Sequence, residues 1–256
     1  MPYRVLLTGG SGALGRSLLR FLSNDVDTFI VKAPTHHELD IVDRKEVNKY
    51  MSAFVPDVII HTAAITSVPK CESNPILAHR VNVMGTQNLV RALNDTSIFD
   101  RINLAPKFVY IGTPCIFDGE RGNYSEDDLP DPKNFYGYTK MLAEEVVREN
   151  IKDFLIARVN FKPMEPWAYP KAFSDRFGTY LFANDVAKIL VGLIKEDKLF
   201  GIVHITGDRR ISMWELARIV SPKIEPMTLQ DYKGPPLTRD MTLISKRLPS
   251  YRLGMV

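Results

Sequence analysis

Thr8-Gly-Gly-Ser-Gly-Ala-Leu-Gly15 follows the β-rich run at residues 4–7 and opens a helical pattern with apolar residues at Leu14, Leu18 and Phe21. A glycine-rich turn between a strand and a helix is the context of a dinucleotide-binding turn. Gly9 and Gly12 allow the tight turn and the close backbone approach, and Gly15 lets the helix pack on the strand. The helix N-terminus would receive a diphosphate. We therefore predict a cofactor site formed by Gly9, Ser11, Gly12, Ala13, Leu14 and Gly15.

Short β-rich runs alternate with helical patterns along the rest of the chain. This alternation predicts βαβ units, and hence an α/β fold of the Rossmann type with a doubly wound parallel sheet. We expect a dinucleotide-binding domain at residues 1–158 and a smaller substrate-binding lobe at 159–256. Within the lobe, residues 184–206 are expected to pack back on the Rossmann sheet. Loops are predicted at the proline-rich stretches 163–170 and 222–236, a helical segment at 75–93, and a capping box at Ser212 and Glu215.

Composition argues against several classes of protein. The 256 residues include 33 basic and 30 acidic residues spread along the chain, a net charge of +3, so nucleic acid is not expected as a partner. The longest apolar runs are shorter than the roughly 20 residues that a membrane helix needs. Two cysteines, Cys71 and Cys115, form neither a disulfide framework nor a zinc-ligand spacing, which favours the cytoplasm and buried thiols. No metal is predicted.

Tyr136 and Lys140 stand four residues apart, and Thr113 follows an apolar strand upstream. Residues at this spacing share one face of a helix, so a phenol and an ammonium can meet over a bound ligand. The ammonium is expected to lower the pKa of the phenol and so to tune it for proton transfer. Because surface helices often carry this pair by chance, its weight comes from the glycine turn and from Thr113.

The expected second strand ends at Lys32 without the acid that commonly holds the ribose hydroxyls of NAD. Lys32, with Arg16 just past the glycines, could instead pair with a 2′-phosphate, which would favour NADPH. Both residues could equally be solvated surface cations, so NADPH and NADH remain alternatives.

The order of four motifs resembles the extended short-chain dehydrogenases: the glycine turn, residues 57–64, residues 82–86 and the Tyr-x-x-x-Lys pair. More closely, the chain resembles the dTDP-4-dehydrorhamnose reductase group, through Leu39-Asp-Ile-Val-Asp43, Gly112-Thr-Pro-Cys-Ile-Phe-Asp-Gly119 and Phe135-Tyr-Gly-Tyr-Thr-Lys140. The resemblance implies an NAD(P)-dependent oxidoreductase that reduces a nucleotide-linked 4-keto-6-deoxy sugar, as in dTDP-rhamnose biosynthesis. We expect a monomer or a homodimer.

The resemblance also implies roles for individual residues. Tyr136 would protonate the ketone oxygen, Thr113 would hydrogen-bond the same oxygen, and Lys140 would bind the nicotinamide ribose. Asp40 and Ile41 would lie by the adenine, Ala63 and Ala64 along the diphosphate and ribose, and Asn82 at a helix bend that supports Lys140. His61, which ends an apolar strand, is expected to be structural rather than a base. The expected substrate-binding residues are Val68, Phe117, Asn160, Phe161 and Arg239, the last for the substrate diphosphate.

The sequence departs from these reductases in three places. Arg158-Val-Asn-Phe-Lys-Pro163 replaces a segment that normally leads into a helix covering the sugar, and Asp185 follows soon afterwards. Pro114 and Cys115 replace the usual Asp-Tyr, so the loop beside the ketone is expected to differ in shape. Ser17 replaces an acid that contributes to a metal-bridged dimer in some members.

Two other functions remain open. Relatives of this fold serve as non-catalytic regulatory subunits, such as the beta subunit of methionine adenosyltransferase, and such a protein could keep the cofactor turn while losing the substrate cover. An epimerase or dehydratase ranks lower, because Pro114-Cys115 cannot supply the Asp-Glu pair of the dehydratases.

Overall fold

The computed structural model describes residues 1–95, 106–196 and 200–255. Its helices are α1 (Ala13–Ser23), α2 (Arg44–Phe54), α3 (Val68–Ser73), α4 (Pro75–His79), α5 (Gly85–Leu93), α6 (Phe135–Asn150), α7 (Ala183–Glu196) and α8 (Met213–Val220). Its first strands are β1 (Tyr3–Thr8), β2 (Phe29–Lys32), β3 (Val58–His61), β4 (Lys107–Gly112), β5 (Phe154–Val159), β6 (Phe161–Lys162) and β7 (Lys171–Phe173). The later strands are β8 (Phe177–Gly178), β9 (Leu181–Phe182), β10 (Gly201–Ile205), β11 (Ile211–Ser212), β12 (Glu225–Met227) and β13 (Asp240–Met241).

Six strands form the main sheet in the order β10-β5-β4-β3-β1-β2, and all five pairings are parallel. The apolar side chains of this sheet pack into two clusters. The first contains residues of α1 and α7, and the second contains residues of α2, α5 and α6. Because helices cover both faces, the central strands are apolar on both sides, and every residue of β4 is buried. The predicted Rossmann-type fold is confirmed.

Side chains fix several helix starts. The Asp43 carboxylate accepts hydrogen bonds from the backbone N–H groups of Lys45 and Glu46 at the start of α2. Ser212 and Glu215 form the predicted capping box at the start of α8. Each such bond satisfies a backbone donor that the helix leaves unpaired.

The helix predicted over residues 75–93 is interrupted. Arg80–Met84 forms a π-helical turn between α4 and α5. Asn82 lies in this turn: its side-chain oxygen accepts from the backbone N–H of Ile65 at 2.7 Å, and its Nδ2 donates to Thr139 Oγ1 at 2.9 Å. Single π-helical turns are often found at functional sites, and this one joins the end of β3 to the helix of the Tyr-Lys pair.

The last hundred residues build short strands and α8 around a third cluster of buried residues, which includes Val68, Cys115, Tyr136, Tyr180 and Met241. β8 pairs with β11 and β13, β7 with β12, and β6 with β9. The loop predicted over 222–236 is wrong in one part, because β12 pairs with β7 there. β10 belongs to the main sheet, where it pairs with β5.

In the three described ranges, no helix is long and apolar enough to cross a membrane.

Candidate active site

The strand order reverses between β1 and β3, and the two segments that follow these strands meet there. Gly9, after β1, has φ +74°, and a Cβ built on it would lie 2.6 Å from the backbone N of Ala63, which follows β3. Ligands of open α/β sheets bind in the crevice at such a reversal. The predicted cofactor residues Gly9, Ala63 and Ala64 are therefore brought to this crevice.

The backbone of the glycine turn is accessible to a ligand. A Cβ on Gly15 would lie 2.1 Å from the carbonyl oxygen of Gly9, so only glycine allows the helix to pack this closely. Gly12 is the N-cap of α1 and carries no side chain to accept from the first-turn N–H groups. Ser11 and Gly12 are exposed, whereas Leu14 is buried in the first cluster. Free N–H groups at an exposed helix N-terminus suit an anion.

Lys32 and Arg16 differ in where their charges lie. The Lys32 ammonium is 5.0 Å from the centroid of the Phe54 ring at the end of α2. Arg16 donates to the backbone oxygen of Ser11 at 2.7 Å and forms an exposed ion pair with Glu165 at 2.9 Å. Arg16 therefore stays at the glycine turn, while Lys32 is directed onto the Phe54 ring.

Asp40 and Ile41 lie in the turn before α2. The Asp40 carboxylate accepts from the backbone N–H of Val42 at 2.9 Å, which is a local turn-forming bond. Ile41 is buried, and its side chain packs where Gly85 begins α5: a Cβ on Gly85 would lie 2.7 Å from Ile41 Cδ1. The side chain of Ile41 is thus part of the core.

Thr113 directly follows β4 with an extended backbone and begins the segment in which the sequence departs from the reductases. Its hydroxyl accepts from the backbone N–H of Cys115 at 3.2 Å and caps the 3₁₀ turn Pro114–Ile116. Pro114 suits the first position of this turn because its ring fixes φ and no N–H is needed there. The side chain of Thr113 is 7% exposed.

Tyr136 lies in the first turn of α6, whose N-cap Asn134 accepts from the backbone N–H of Gly137 at 2.9 Å. Burial, with a smaller effect of Cys115, raises the pKa of the Tyr136 phenol well above its usual value, and a hydrogen bond with Thr113 opposes this rise. The net shift in the pKa of Tyr136 is therefore upward rather than the expected lowering, because desolvation of the phenolate outweighs the effects that favour it.

Lys140 is buried one turn after Tyr136, and its ammonium lies 4.0 Å from the centroid of the Tyr110 ring. Burial lowers the pKa of Lys140 to about 7, and the negative charge of Glu144 acts in the opposite direction. The π face of a tyrosine attracts a cation, so the ring and the carboxylate together favour the charged form of the amine.

His61 is a structural residue in this arrangement. Its ring nitrogens lie 2.6 Å from Thr8 Oγ1 and 3.0 Å from Thr86 Oγ1, and the side chain is 1% exposed. Burial and the nearby Lys140 lower the pKa of His61 to about 3, so the ring is neutral at physiological pH. Both cysteines are buried, and burial raises the pKa of the Cys71 thiol to about 11.

The predicted substrate-binding residues are not all in one place. Val68 packs in the third cluster with Tyr136, and Asn160 and Phe161 are half-buried at the start of the lobe. The predicted role of Phe117 in substrate binding is wrong. Its ring is fully buried and stacks on the Tyr124 ring, with the two centroids 4.4 Å apart, so Phe117 is part of the core. Arg239 is exposed, and its carbonyl oxygen accepts from Phe177.

Some polar residues near the site were not predicted. Glu144, one turn after Lys140, is buried, and its Oε2 accepts from Arg158 at 2.8 and 3.0 Å. Its Oε1 has no hydrogen-bond partner among the described residues. The spacing of Lys140 and Glu144 was the only signal in the sequence, and the pairing with Arg158 depends on the contact of α6 with β5. No feature of the sequence predicted that Arg176 and Lys162, in the lobe, are functional residues.

Ser17 contacts a neighbouring helix. Its hydroxyl donates to Asn184 Oδ1 at 2.8 Å and thereby joins α1 to α7. Within residues 1–95, 106–196 and 200–255, no group of three His, Cys, Asp or Glu side chains could hold a metal ion.

Comparison with known proteins relates this arrangement to one family. The chain is 30% identical over 234 residues to dTDP-4-dehydrorhamnose reductase from Aggregatibacter actinomycetemcomitans, covering 84% of this chain and 76% of that protein. It is 26% identical over 287 residues to methionine adenosyltransferase 2 subunit beta from Xenopus laevis, covering 98% of this chain and 83% of that protein.

The fold matches that of a solved relative. The crystal structure of dTDP-4-dehydrorhamnose reductase from Bacillus anthracis, in complex with NADP, superposes with a TM-score of 0.86 and 23% identity, covering 99% of this chain and 95% of that one. The family model of the RmlD substrate-binding domain matches residues 3–161, which is more than half of the chain. The resemblance read from the motifs is confirmed, and the chain belongs to the RmlD substrate-binding domain family.

Proposed function

We propose that this protein is an oxidoreductase that uses NADPH or NADH to reduce the ketone of a nucleotide-linked 4-keto-6-deoxy sugar. The observation that carries the proposal is that Thr113, Tyr136 and Lys140 are all buried where the segment after β4 packs on the start of α6. A Cβ on Gly137 would lie 2.1 Å from the carbonyl oxygen of Cys115. A relative of 30% identity is a dTDP-4-dehydrorhamnose reductase, which agrees with this chemistry. The substrate-binding roles of Val68, Asn160 and Phe161 are part of the proposal.

A dinucleotide fits the glycine turn, because side chains at Gly9 and Gly15 would collide with backbone atoms and glycine leaves that backbone accessible. The backbone from Ser11 to Gly15 would hold the diphosphate, and Lys140 the nicotinamide ribose. Arg16, which donates to the backbone oxygen of Ser11, lies at the turn and could reach a 2′-phosphate. When bound, the nicotinamide supplies the hydride for the reduction. The NADP complex of the Bacillus anthracis reductase supports this choice of cofactor.

Tyr136 acts as the general acid. A phenol whose pKa is raised by burial stays protonated at neutral pH, so it can give its proton to the ketone oxygen as negative charge develops there. Thr113, whose hydroxyl is close enough to this phenol to oppose the rise in its pKa, holds the same oxygen in place. The positive charge of Lys140 then stabilises the phenolate that remains.

The experiment is turnover of a dTDP-linked 4-keto-6-deoxyhexose, followed by the loss of reduced-nicotinamide absorbance. Tyr136→Phe keeps the buried ring and removes the proton donor, so we expect turnover to fall about 10²- to 10⁴-fold while cofactor binding is retained. Tyr138→Phe, two residues later on the same helix and 43% exposed, is the matched control and should act like the parent. Equal turnover by the Tyr136→Phe protein would refute the proposed role.

A second candidate is a cofactor-binding regulatory subunit. The similarity to methionine adenosyltransferase 2 subunit beta extends over 98% of the chain, including the lobe, and this observation favours the candidate. The complete trio of Thr113, Tyr136 and Lys140 weighs against it. Tight NADPH binding without oxidation by a panel of keto sugars, together with co-elution with a methionine adenosyltransferase catalytic subunit, would favour the regulatory role. Turnover without a partner would exclude it.

A further inference from the structure

The lobe contains an arginine whose charge is not matched by a strong acceptor. Arg176 immediately precedes β8, and its Nε donates to the backbone oxygen of Thr238 at 2.9 Å. Its two terminal nitrogens contact the sulfur atoms of Met213 and Met241 at 3.4 and 3.3 Å. Thioether sulfur is a weak acceptor. Arg176 is half-buried, and most of the N–H donors of its guanidinium group therefore have no strong hydrogen-bond acceptor.

A second cation is close enough to this arginine for the two positive charges to repel each other. Lys162 ends β6, is half-buried, and its ammonium is 5.7 Å from the centroid of the Trp167 ring. Burial and the like charge of Arg176 lower the pKa of Lys162. Two cations that repel each other in a partly desolvated place are unfavourable unless a negative group joins them.

The acidic residues of the surrounding segments are engaged elsewhere. Asp240 pairs with Arg210 at 3.0 Å, and Glu225 pairs with Lys171 at 3.4 Å. Asp175, the neighbour of Arg176 in sequence, accepts from the backbone N–H of Leu229. In the part of the chain that the structure describes, no carboxylate pairs with Lys162 or Arg176.

Three neutral polar groups of this region are poorly satisfied, and the contact between two of them, the Tyr180 hydroxyl and the Asn160 amide, only partly offsets the rise that burial causes in the pKa of Tyr180. Tyr180 OH, Asn160 Nδ2 and Thr238 Oγ1 are buried without a hydrogen bond of normal geometry to any described residue, and Tyr180 and Thr238 are at most 1% exposed. Gly178 brings two of them together, because a Cβ there would lie 2.4 Å from Asn160 Nδ2 and 2.9 Å from the Tyr180 ring. A buried polar group without a partner destabilises the folded protein, so a ligand that satisfies these groups would be favoured.

This cluster adjoins the catalytic trio. The Cys115 sulfur lies 3.7 Å from the Met241 sulfur, which Arg176 also contacts. Cys115, Met241, Tyr180 and Tyr136 all belong to the third cluster of buried residues. The two cations thus approach the site from the side of the lobe, where a substrate rather than the cofactor would lie.

We propose that Lys162 and Arg176 bind a phosphate or diphosphate group of the substrate, with Tyr180, Asn160 and Thr238 donating hydrogen bonds to its oxygens. The inference rests on the proposed function, because it places a substrate next to Tyr136. An arginine fork and a lysine point charge are the side chains that recognise phosphate oxygens. Lys162 and Arg176 take the role that the sequence suggested for Arg239, which is exposed.

The test is calorimetric titration of dTDP into protein saturated with NADP⁺, so that the diphosphate of the probe cannot occupy the cofactor turn. Lys162→Met and Arg176→Met should each weaken dTDP binding at least tenfold, because each removes a charge-assisted contact. Lys171→Met, an exposed cation of the same lobe, is the matched control and should bind dTDP like the parent. Unchanged dTDP affinity in both site variants would overturn the proposal.

Three further probes identify the group that is bound. Thymidine should bind much more weakly than dTDP, and pyrophosphate should compete with dTDP in the parent but not in the variants. Equal affinity for thymidine and dTDP would overturn the phosphate assignment. Displacement of dTDP by glucuronate but not by pyrophosphate would overturn it in favour of a carboxylate.

Two measurements distinguish a loss of dTDP binding from misfolding of a variant. NADP⁺ affinity reports an intact Rossmann sheet in each variant, and Arg176→Lys, which keeps the charge, should recover part of the dTDP affinity. In the parent itself, dTDP affinity should fall as sodium chloride rises while thymidine affinity does not. If no keto sugar is reduced but the variants lose dTDP, the proposed function fails and this inference stands. If turnover is found and both variants bind dTDP normally, only this inference fails.

Discussion

Arg158 donates two hydrogen bonds to one carboxylate oxygen of Glu144, at 3.0 and 2.8 Å, and each side chain is only 3% exposed. The pair joins β5 to α6 directly behind Lys140. Gly112 makes room for it, because a Cβ at that position would lie 2.5 Å from Glu144 Oε1. The carboxylate is thus held next to the lysine whose positive charge the proposed chemistry needs.

Breaking this ion pair should be costly. Arg158→Met leaves the Glu144 carboxylate buried without its partner, so we expect the free energy of unfolding to fall by about 3–5 kcal/mol. Urea denaturation followed by circular dichroism would measure it. The double variant Glu144→Gln with Arg158→Met removes both charges and should recover much of the loss. If the single and double variants are equally destabilised, lost packing rather than an unpaired charge is the cause.

The pH dependence of catalysis should reflect the protonation state of Lys140. Its pKa is lowered to about 7 by burial, so the charged form is lost as pH rises through about 7. Since the proposed role needs the charged form, kcat/KM should decline above that pH, because this ratio reports the pKa values of the free enzyme. Lys140→Arg, which does not titrate in this range, should remove the decline. A decline that persists in Lys140→Arg would assign it to another group.

The contribution of Lys140 to the free energy of unfolding should rise with pH, whereas kcat/KM should decline. The unfolded chain keeps Lys140 protonated up to its ordinary pKa of 10.5, whereas the folded chain releases the proton above about 7. Between these values the unfolded state binds more protons, so the free energy of unfolding contributed by this residue rises with pH. The difference in unfolding free energy between the parent and Lys140→Met should therefore grow in favour of the parent from pH 7 to 10. A difference independent of pH would contradict the lowered pKa.

We expect the hydroxyl of Thr113 to be needed for full catalytic activity. Thr113→Val keeps the shape and removes the donor to the ketone oxygen, and loss of one such donor lowers kcat by about 10²- to 10³-fold. Thr113→Ser keeps the hydroxyl and should retain most of the activity. Because the same oxygen caps the 3₁₀ turn, thermal unfolding of both variants is the control for a structural effect. Equal kcat for the valine and serine variants would exclude the proposed role.

Two glycine substitutions should have opposite effects. Gly15→Ala places a Cβ 2.1 Å from the carbonyl oxygen of Gly9, so the turn must deform, and we expect lower stability and loss of NADPH binding. A Cβ on Gly192, inside α7, would meet no atom within 4 Å. Gly192→Ala should therefore stabilise the protein by about 0.4–1 kcal/mol and leave NADPH binding unchanged. Fluorescence titration with NADPH and thermal unfolding measure both. Normal NADPH affinity in Gly15→Ala would refute the assigned role of the turn.

The parallel sheet and the glycine turn could be predicted from the sequence because both depend on local pattern. Buried parallel strands are continuous apolar runs, and the close approach of Gly15 to Gly9 admits only glycine. The spacing of Tyr136 and Lys140 also carries its meaning locally, since a helical turn places them on one face. For the same reason the capping box at Ser212 was predicted correctly.

The tertiary structure alone decided the environments of the charged and aromatic side chains. The Tyr136 phenol has a raised pKa because the lobe and the sheet bury it, and sequence spacing contains no information on desolvation. Phe117 is core because Tyr124 stacks on it, and Arg176 meets two methionine sulfurs from distant segments. The sequence by itself determined the backbone architecture and the turn that approaches a cofactor. Long-range packing decided which polar groups are buried, paired or left without a partner, because burial and Coulomb energy depend on neighbours that chain order does not specify.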